Sequence, residues 1–442
     1  MERPALVVTG SIFQTPEPTR LEHREAASVV VGVDGVIQAV HGPGAEAEKA
    51  KADAVTVVDL GSGAALIPGL VDLHIHAPQW PQVGTGLDLR LERWLFEYTF
   101  PLEQRYDDLA FAQRVWDDLV PGLLARGTTT AVYYGTVHEP ATVALAQACV
   151  QYGQRAYVGR VAMDHPEGTP VTYRDRSPEE GIEASRRSID AIRSLQSSLV
   201  QPIITPRFIP ACSDALLEGL GRLAEETGSL VQTHCSENDW EHHYVLERHG
   251  VTDTLSLDRF GLLRPGTVLA HADLVGDADL ELIARRHAGI AHCPLSNIYF
   301  GNAVFPTRRA LAAGVRVGLG TDIAGGAEPA LLGQVPMAVN VSRLLEDGVD
   351  NRLDAENRGV ADSRIDTVTA FWMATVGGAR VLDAPVGLLE PGRSFDAVAV
   401  DLGPLGIWPE VDDSARVFEK LTRLTTSSNI TEVWVAGRPC LP

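Results

Sequence analysis

Apolar runs of strand length alternate with helical patterns through the middle of the chain. Between the runs, Ser213–Thr227 places leucines at helical spacing behind a capping serine, and Asp279–Arg286 and Thr307–Ala313 show a similar pattern. Eight such runs predict an α/β fold, a TIM-like (β/α)8 barrel of parallel strands, in preference to an open doubly wound sheet. The runs are Leu66–His76, Thr128–Thr136, Ala156–Asp164, Val200–Phe208, Leu230–Glu237, Val268–Leu274, Ile290–Pro294 and Arg316–Ala324.

Both ends of the chain have a different pattern, with short strand-like runs separated by Gly, Asp and Pro. Because the two ends resemble each other more than they resemble the middle, we expect one small β-sandwich domain built from both chain termini. The expected division assigns residues 1–65 and 381–442 to this β domain and residues 66–380 to the barrel. The terminal runs are Ala5–Val8, Ser28–Val33, Ile37–Val40, Val55–Leu60, Asp396–Val400 and Glu432–Ala436.

A long insertion follows the first predicted strand and carries a helical pattern of its own. Its apolar side chains stand at positions i, i+3, i+4 and i+7, namely Leu91, Trp94, Leu95 and Tyr98. This spacing predicts a helix with one apolar face. In a barrel the helix would lie over the C-terminal mouth, where active sites form. A helix that only packs against the barrel is the alternative.

Composition and charge exclude two classes of partner. The chain has 442 residues, of which 58 are acidic and 37 basic, for a formal net charge of −21. We therefore expect no nucleic-acid partner, because a phosphate-binding surface needs clustered Lys and Arg. We also expect no membrane partner and no targeting segment, since no apolar run reaches membrane-spanning length. The five scattered cysteines contain no C-x-x-C pair, which favours a reducing, cytoplasmic location.

The first barrel strand ends in the candidate metal motif His74-Ile75-His76. Residues two apart on a strand point to the same side, so both imidazoles face one point at the end of the strand. A lone H-x-H pair is weak support for a metal site. Its position at the end of a strand within an eight-strand pattern makes it stronger.

Three further candidate ligands close later strands. His234 ends the fifth, His271 the sixth and Asp322 the eighth. Any one of these histidines could be a core residue, but that interpretation does not explain several of them at strand ends. Imidazoles and a carboxylate at one barrel mouth suit Zn²⁺, with Fe²⁺ possible. The sequence lacks the glycine-rich loops and the G-x-S-x-G motif of phosphate, dinucleotide and serine-hydrolase chemistry.

The order H-x-H, His, His, Asp on strands 1, 5, 6 and 8 resembles the amidohydrolase superfamily, whose members are barrels with a β domain made from both chain ends. Further segments along nearly the whole chain resemble the guanine deaminase family more closely. These segments are residues 74–103, Gly127–Ala131, Gly153–Ala156, Met163–Asp164, Thr205–Phe208, Ser236–Asn238 and Gly320–Gly326.

The resemblance implies one zinc ion per subunit and hydrolytic deamination of guanine to xanthine and ammonia. The implied metal ligands are His74, His76, His234 and Asp322. The implied catalytic residues are Glu237, His271 and Asp322. In this scheme His271 orients or polarises the attacking water, Asp322 takes its proton, and hydroxide attacks C2 of guanine. Glu237 protonates the ring nitrogen, and proton return to the amino group releases ammonia. The family also implies a homodimer.

The resemblance further implies that Gln79, Arg207, Phe208 and Glu237 contact the purine. The residue types agree, because an amide and a guanidinium offer fixed hydrogen-bonding groups to the edge of a heterocycle. Phe208 could cover the face of the ring. For Arg207 the alternative is a structural ion pair.

The sequence departs from the family pattern at Leu295-Ser296-Asn297, in the following Ile298–Ala303 and at Ala327–Ala330. These positions are expected near the mouth, so they concern the choice of substrate more than the chemistry. A deaminase of 8-oxoguanine, a pterin or another 2-amino heterocycle is the main alternative. A non-catalytic scaffold is a weaker one, because it would be expected to lack metal ligands.

Overall fold

The computed structural model describes residues 4–301 and 303–441. Its strands are β1 Leu6–Glu17, β2 Arg20–Val31, β3 Ile37–His41, β4 Thr56–Asp59, β5 Ala64–Pro68, β6 Leu70–His76, β7 Thr128–Tyr134, β8 Arg155–Gly159, β9 Val161–Ala162, β10 Val200–Pro206, β11 Leu230–Cys235, β12 Val268–His271, β13 Gly289–His292, β14 Arg316–Leu319, β15 Ala397–Asp401, β16 Ile430–Val435 and β17 Arg438–Pro439.

The α-helices are α1 Ala45–Asp53, α2 Leu91–Trp94, α3 Phe100–Glu103, α4 Leu109–Leu124, α5 Glu139–Tyr152, α6 Pro178–Ser194, α7 Asp214–Thr227, α8 Asp239–His249, α9 Asp253–Arg259, α10 Asp277–Arg285, α11 Pro294–Ser296, α12 Thr307–Ala312, α13 Leu331–Asp347, α14 Ala355–Arg358, α15 Thr367–Trp372, α16 Gly378–Leu382 and α17 Ser414–Leu424. Leu95–Thr99, Asn297–Gly301 and Met373–Gly377 are π-helical. Short 3₁₀ turns occupy Ala77–Gln82, Gln104–Asp107, Ile209–Ala211, Gly403–Leu405 and Ser427–Asn429. Among the described residues, no helix has both the length and the apolar character needed to span a membrane.

Eight parallel strands form a nearly closed barrel in the order β6-β7-β8-β10-β11-β12-β13-β14, with β9 beside β10. The segment after β14 meets β6, where the Asp322 N–H donates to the His74 carbonyl at 2.9 Å and the His76 N–H donates to the Ile323 carbonyl at 2.9 Å. The predicted barrel is confirmed. Strands β6 and β7 are buried along their whole length, as expected for parallel strands covered on both faces.

Helix α7 illustrates how the local sequence builds the outer layer. The hydroxyl of Ser213 accepts a hydrogen bond from the Leu216 N–H at the first turn, and Gly228 ends the helix in the left-handed conformation. Leucines at helical spacing between these two residues are buried against the strands. The predicted helix is confirmed together with its cap.

Two of the predicted strands are divided. The run 66–76 was expected to be one strand, but Ala64–Pro68 pairs in the terminal sheet and the barrel strand begins at Leu70. At Gly69 between them a Cβ would lie 2.2 Å from Oγ1 of Thr129. The run 156–164 is interrupted at Arg160, whose guanidinium binds Asp175. Both segments stay buried, so hydrophobicity alone does not reveal where the chain changes partners.

The terminal domain is built from both ends of the chain, as predicted. Its strands form one mixed sheet in the order β17-β16-β15-β5-β1-β2-β3, with β4 also beside β1. Strand β1 pairs antiparallel with β2 along one edge and parallel with β4 and then β5 along the other.

A buried ion pair joins the barrel to this sheet. Arg155, at the start of β8, donates to both carboxylate oxygens of Asp396 at 3.0 and 3.1 Å, and Asp396 also accepts from the Ala436 N–H at 2.8 Å. Replacing Asp396 with Asn should lower the free energy of unfolding by about 3 kcal/mol, because Arg155 is left buried without a countercharge. Urea unfolding followed by circular dichroism measures this loss. The exposed Asp190→Asn serves as control, and equal midpoints for the two variants would contradict the prediction.

Candidate active site

Side chains from four barrel strands converge at the C-terminal mouth. His74 and His76 occupy alternate positions at the end of β6, His234 lies in β11, His271 ends β12, and Asp322 follows β14. All five side chains are buried. The parallel order of the strands brings their C-terminal ends to one face, so residues up to 248 positions apart in the chain come together as predicted.

The ligand atoms of these residues are close enough for one cation. Nε2 of His76 lies 3.0 Å from Nε2 of His234. Oδ1 of Asp322 lies 3.2 Å from Nε2 of His74 and 3.6 Å from Nε2 of His76. Three overlapping groups have all their ligand atoms within 4.8 Å: His74 with His234 and His271, His74 with His76 and Asp322, and Glu237 with His271 and Asp322.

The protonation of these groups fits a divalent metal. Burial lowers the pKa of His74, His76 and His234, which leaves the imidazoles neutral and able to coordinate. Burial raises the pKa of Asp322, but the neighbouring imidazoles, His74 above all, have the larger effect and lower it below its usual value. This carboxylate is therefore ionised. Nε2 of His271 is buried and makes no hydrogen bond to any described residue. A buried set of imidazole nitrogens with one carboxylate is a metal-binding site by its chemistry.

Hydrogen bonds behind the site set the tautomers of two histidines. Nδ1 of His234 lies 2.5 Å from the carbonyl oxygen of Arg207, and a carbonyl can only accept, so Nδ1 carries the proton and Nε2 keeps its lone pair. Nδ1 of His271 lies 2.9 Å from Oδ1 of Asn297, whose amide nitrogen donates to Asp273 at 2.5 Å. Nε2 of His271 is thereby left as an acceptor that faces the site.

Besides the histidines, a serine hydroxyl contacts the carboxylate of Asp322, and the sequence did not indicate this contact. The hydroxyl of Ser296 donates to Oδ2 of Asp322 at 2.6 Å. A Cβ at Gly325 would lie 2.5 Å from the same oxygen, so only glycine fits there. Ser296 and Asn297 belong to the divergent segment after β13, and the structure shows them bonded to predicted site residues.

Glu237 lies in the loop between β11 and α8, with Oε1 3.8 Å from Nε2 of His271. Burial raises the pKa of Glu237 to about 7. A carboxyl group with this pKa exchanges protons efficiently near neutral pH, which is what general acid–base catalysis requires. The structure therefore places the predicted proton carrier beside the metal-binding cluster.

One pocket opens directly onto the cluster. Metal-binding, polar and apolar side chains all contribute to its lining. The lining residues are His76, Gln79, Leu91, Trp94, Leu95, Arg207, Phe208, His234, Glu237, Phe300, Asp322 and Gly325. All the predicted substrate-binding residues are among them. An apolar lining with a few polar groups is typical of a small-molecule site.

The inserted helix covers this pocket. Leu91, Trp94 and Leu95 line it, so the interpretation of a helix over the mouth is confirmed. Tyr98 was expected on the same face but is 42% exposed. The chain is π-helical from Leu95 to Thr99, and the wider turn rotates the following residues away from the α-helical face.

Arg207 also forms the ion pair that was considered as its alternative role. Nη1 and Nη2 of Arg207 donate to the two carboxylate oxygens of Glu103 at 2.6 and 3.1 Å, and Gln79 donates to the same carboxylate at 2.9 Å. The sequence analysis did not identify Glu103. One glutamate among several charged residues of the insertion carries no local pattern that indicates a buried partner.

The family model of the amidohydrolase family matches residues 65–440. A probable guanine deaminase of Schizosaccharomyces pombe is 38% identical over 390 residues, covering 84% of this chain and 71% of that protein. The guanine deaminase of Dictyostelium discoideum is 32% identical over an alignment of 456 residues, covering 97% and 96%.

Solved structures agree with these relatives. A guanine deaminase from C. acetobutylicum with guanine bound in its active site has a TM-score of 0.88 and 30% identity, covering 98% of this chain and 99% of that one. An adenosine deaminase from Xanthomonas campestris with bound zinc has a TM-score of 0.83 and 25% identity, covering 99% and 93%. With the barrel, the metal-binding cluster and these relatives in agreement, the chain belongs to the guanine deaminases of the amidohydrolase family.

Proposed function

We propose that this chain hydrolyses guanine to xanthine and ammonia with one zinc ion per subunit. The observation that carries the proposal is the position of Glu237 and Asp322 between a cluster of neutral histidines and a narrow pocket that contains Gln79 and Arg207. The reaction adds one water at C2 of the purine and releases the amino group as ammonia. The relative with bound guanine supports this substrate.

His74, His76, His234 and Asp322 would hold the metal. A zinc ion held there would supply Lewis acidity, which lowers the pKa of a bound water molecule to about 7. Zinc is favoured over iron by the relative that contains zinc. Metal analysis of the purified protein is expected to give one zinc per chain, and one iron per chain would contradict that identity.

The chain's own residues would then move the protons. Asp322, ionised and oriented by Ser296, accepts the proton of the attacking water. His271 polarises that water through Nε2, which its bond to Asn297 leaves as an acceptor. Glu237 delivers a proton to the ring nitrogen and then assists proton transfer to the leaving amine. Each proton transfer by a placed side chain contributes about 10²–10⁴-fold.

The purine would lie between the metal cluster and the pair Gln79 and Arg207, whose N–H groups donate to its edge. Phe208, packed 5.8 Å from the ring of Trp240, would cover one face of the base. Leu91, Trp94 and Phe300 would cover the rest and exclude water. These roles follow the residue types and the positions of the side chains around the pocket.

The test is ammonia release by the zinc-loaded protein from guanine, 8-oxoguanine, isoguanine, adenine, cytosine, a pterin and melamine. We expect kcat/KM for guanine to exceed that for each other compound by at least about 10²-fold. A heterocycle whose edge does not match the hydrogen-bonding groups of the pocket leaves buried polar groups unpaired. A chelated sample should lose activity and regain it with Zn²⁺. If 8-oxoguanine or a pterin were preferred, that compound rather than guanine would be the substrate. If no compound released ammonia, the proposed activity would be refuted.

We further propose a homodimer, following the family resemblance. Sedimentation equilibrium should give a mass twice that of the 47.5 kDa chain, and a monomer mass at micromolar concentration would contradict it. The cytoplasmic location expected from the sequence remains a prediction, which fractionation of the source cells would test.

A further inference from the structure

The carboxylate of Glu103 binds Gln79 and Arg207, two polar residues that line the pocket. Its Oε1 accepts from Nε2 of Gln79 at 2.9 Å and from Nη2 of Arg207 at 3.1 Å, and its Oε2 accepts from Nη1 of Arg207 at 2.6 Å. The side chain is fully buried at the end of α3, in the insertion that covers the mouth. One residue therefore holds two side chains that line the pocket.

The orientation of the Gln79 amide follows from its partners alone. The Ala324 N–H can only donate, and it lies 3.0 Å from one end of the amide, so that end is the oxygen. Both carboxylate oxygens of Glu103 accept from Arg207, which has only donors, and Oε1 also accepts from Gln79, so the end of the amide that faces Glu103 is the nitrogen. The groups that Gln79 nitrogen and Arg207 offer to a ligand are therefore N–H groups.

We propose that Glu103 is a specificity-determining positioning residue: it holds Gln79 and Arg207 so that their N–H groups select a purine edge with a carbonyl oxygen over one with an amino group. The inference rests on the proposed function and adds the residue that sets the preference. An amino group at this edge would place donors against donors and leave buried N–H groups without acceptors, which is the strongest basis for rejecting a close analogue.

A carboxylate is required for this arrangement. It offers two acceptor oxygens, whereas an amide of the same size offers one acceptor and one donor. In Glu103→Gln, either Gln79 or Arg207 would face the new N–H₂ group, whichever way the amide turned. Glu103→Asp keeps both acceptors and the charge but retracts them by one methylene, so it can satisfy only part of the network.

The experiment compares guanine with 2,6-diaminopurine, which has an amino group in place of the C6 oxygen. Steady-state kinetics are measured on the zinc-loaded wild type, on Glu103→Gln and Glu103→Asp, and on Glu97→Gln as an exposed control in the same insertion. For Glu103→Gln we expect KM for guanine to rise at least tenfold and kcat to stay within threefold. The kcat/KM ratio of guanine to 2,6-diaminopurine should fall at least tenfold. Such a KM change at constant kcat reports binding rather than chemistry.

Glu103→Asp should show an intermediate change of several-fold in KM, and Glu97→Gln none. An unchanged KM and substrate ratio in Glu103→Gln, or a loss of kcat alone, would overturn the inference. If Glu103→Gln does not fold, Glu103→Asp decides, because a wild-type KM in that variant would also overturn it. A wild type that does not turn over guanine refutes the proposed function instead, so the two failures are distinguishable.

Discussion

Replacing Asp322 with asparagine is expected to lower kcat/KM for guanine by about 10⁴-fold, the largest effect of any substitution considered. The carboxylate contributes in two ways. Its Oδ1 lies 3.2 Å from Nε2 of His74 and 3.6 Å from Nε2 of His76, so it belongs to the metal-binding cluster, and in the proposed mechanism it accepts the proton of the attacking water. Loss of proton transfer alone accounts for about 10²–10⁴-fold.

The measurement is steady-state ammonia release, with the zinc content of each sample determined in parallel. Asn keeps the size of the side chain and can still accept from Ser296, so global unfolding is not expected. The exposed Asp190→Asn is the matched control. Retention of near-normal turnover by Asp322→Asn with a full complement of zinc would show that another group is the base.

Replacing Glu237 with glutamine is expected to lower kcat by about 10²–10⁴-fold at an unchanged zinc content. Glu237 is the buried acid whose pKa is raised to about 7, and its Oε1 lies 3.8 Å from Nε2 of His271. Gln has the same shape but cannot exchange the proton. Because the loss concerns the reaction steps, binding of guanine should change much less than kcat.

Single-turnover kinetics and equilibrium binding of guanine separate these two effects. Glu247→Gln, an exposed position on the helix that follows Glu237, is the control. If Glu237→Gln turned over guanine at a rate close to wild type, the assignment of Glu237 as proton carrier would be wrong. That result would not affect the assignment of the metal-binding residues. Equal losses of zinc and of activity would instead make Glu237 a metal-binding residue.

Several features of the molecule were predictable from sequence because their causes are local and periodic. The alternation of apolar runs with helical patterns predicted the barrel, and the shared pattern of the two ends predicted one domain from both termini. The H-x-H pair, with His234, His271 and Asp322 at later strand ends, predicted the metal-binding cluster, since parallel strands present their C-terminal ends on one face. The resemblance to guanine deaminases supplied Gln79, Arg207, Phe208 and Glu237, which all line the pocket.

Other features depend on contacts that no local pattern encodes. Glu103 and Arg207 are 104 positions apart in the chain, and only the folded insertion brings them together. Ser296 and Asn297 bind Asp322 and His271 through side-chain hydrogen bonds that depend on the course of the helical segment after β13. The strand break at Gly69 and the π-helical segment that contains Tyr98 have no distinct signal in the hydrophobic pattern. Hydrophobic periodicity specifies which face of an element is buried, whereas the partner of a buried polar group is decided by the tertiary structure, because hydrogen bonds depend on distance and direction in space.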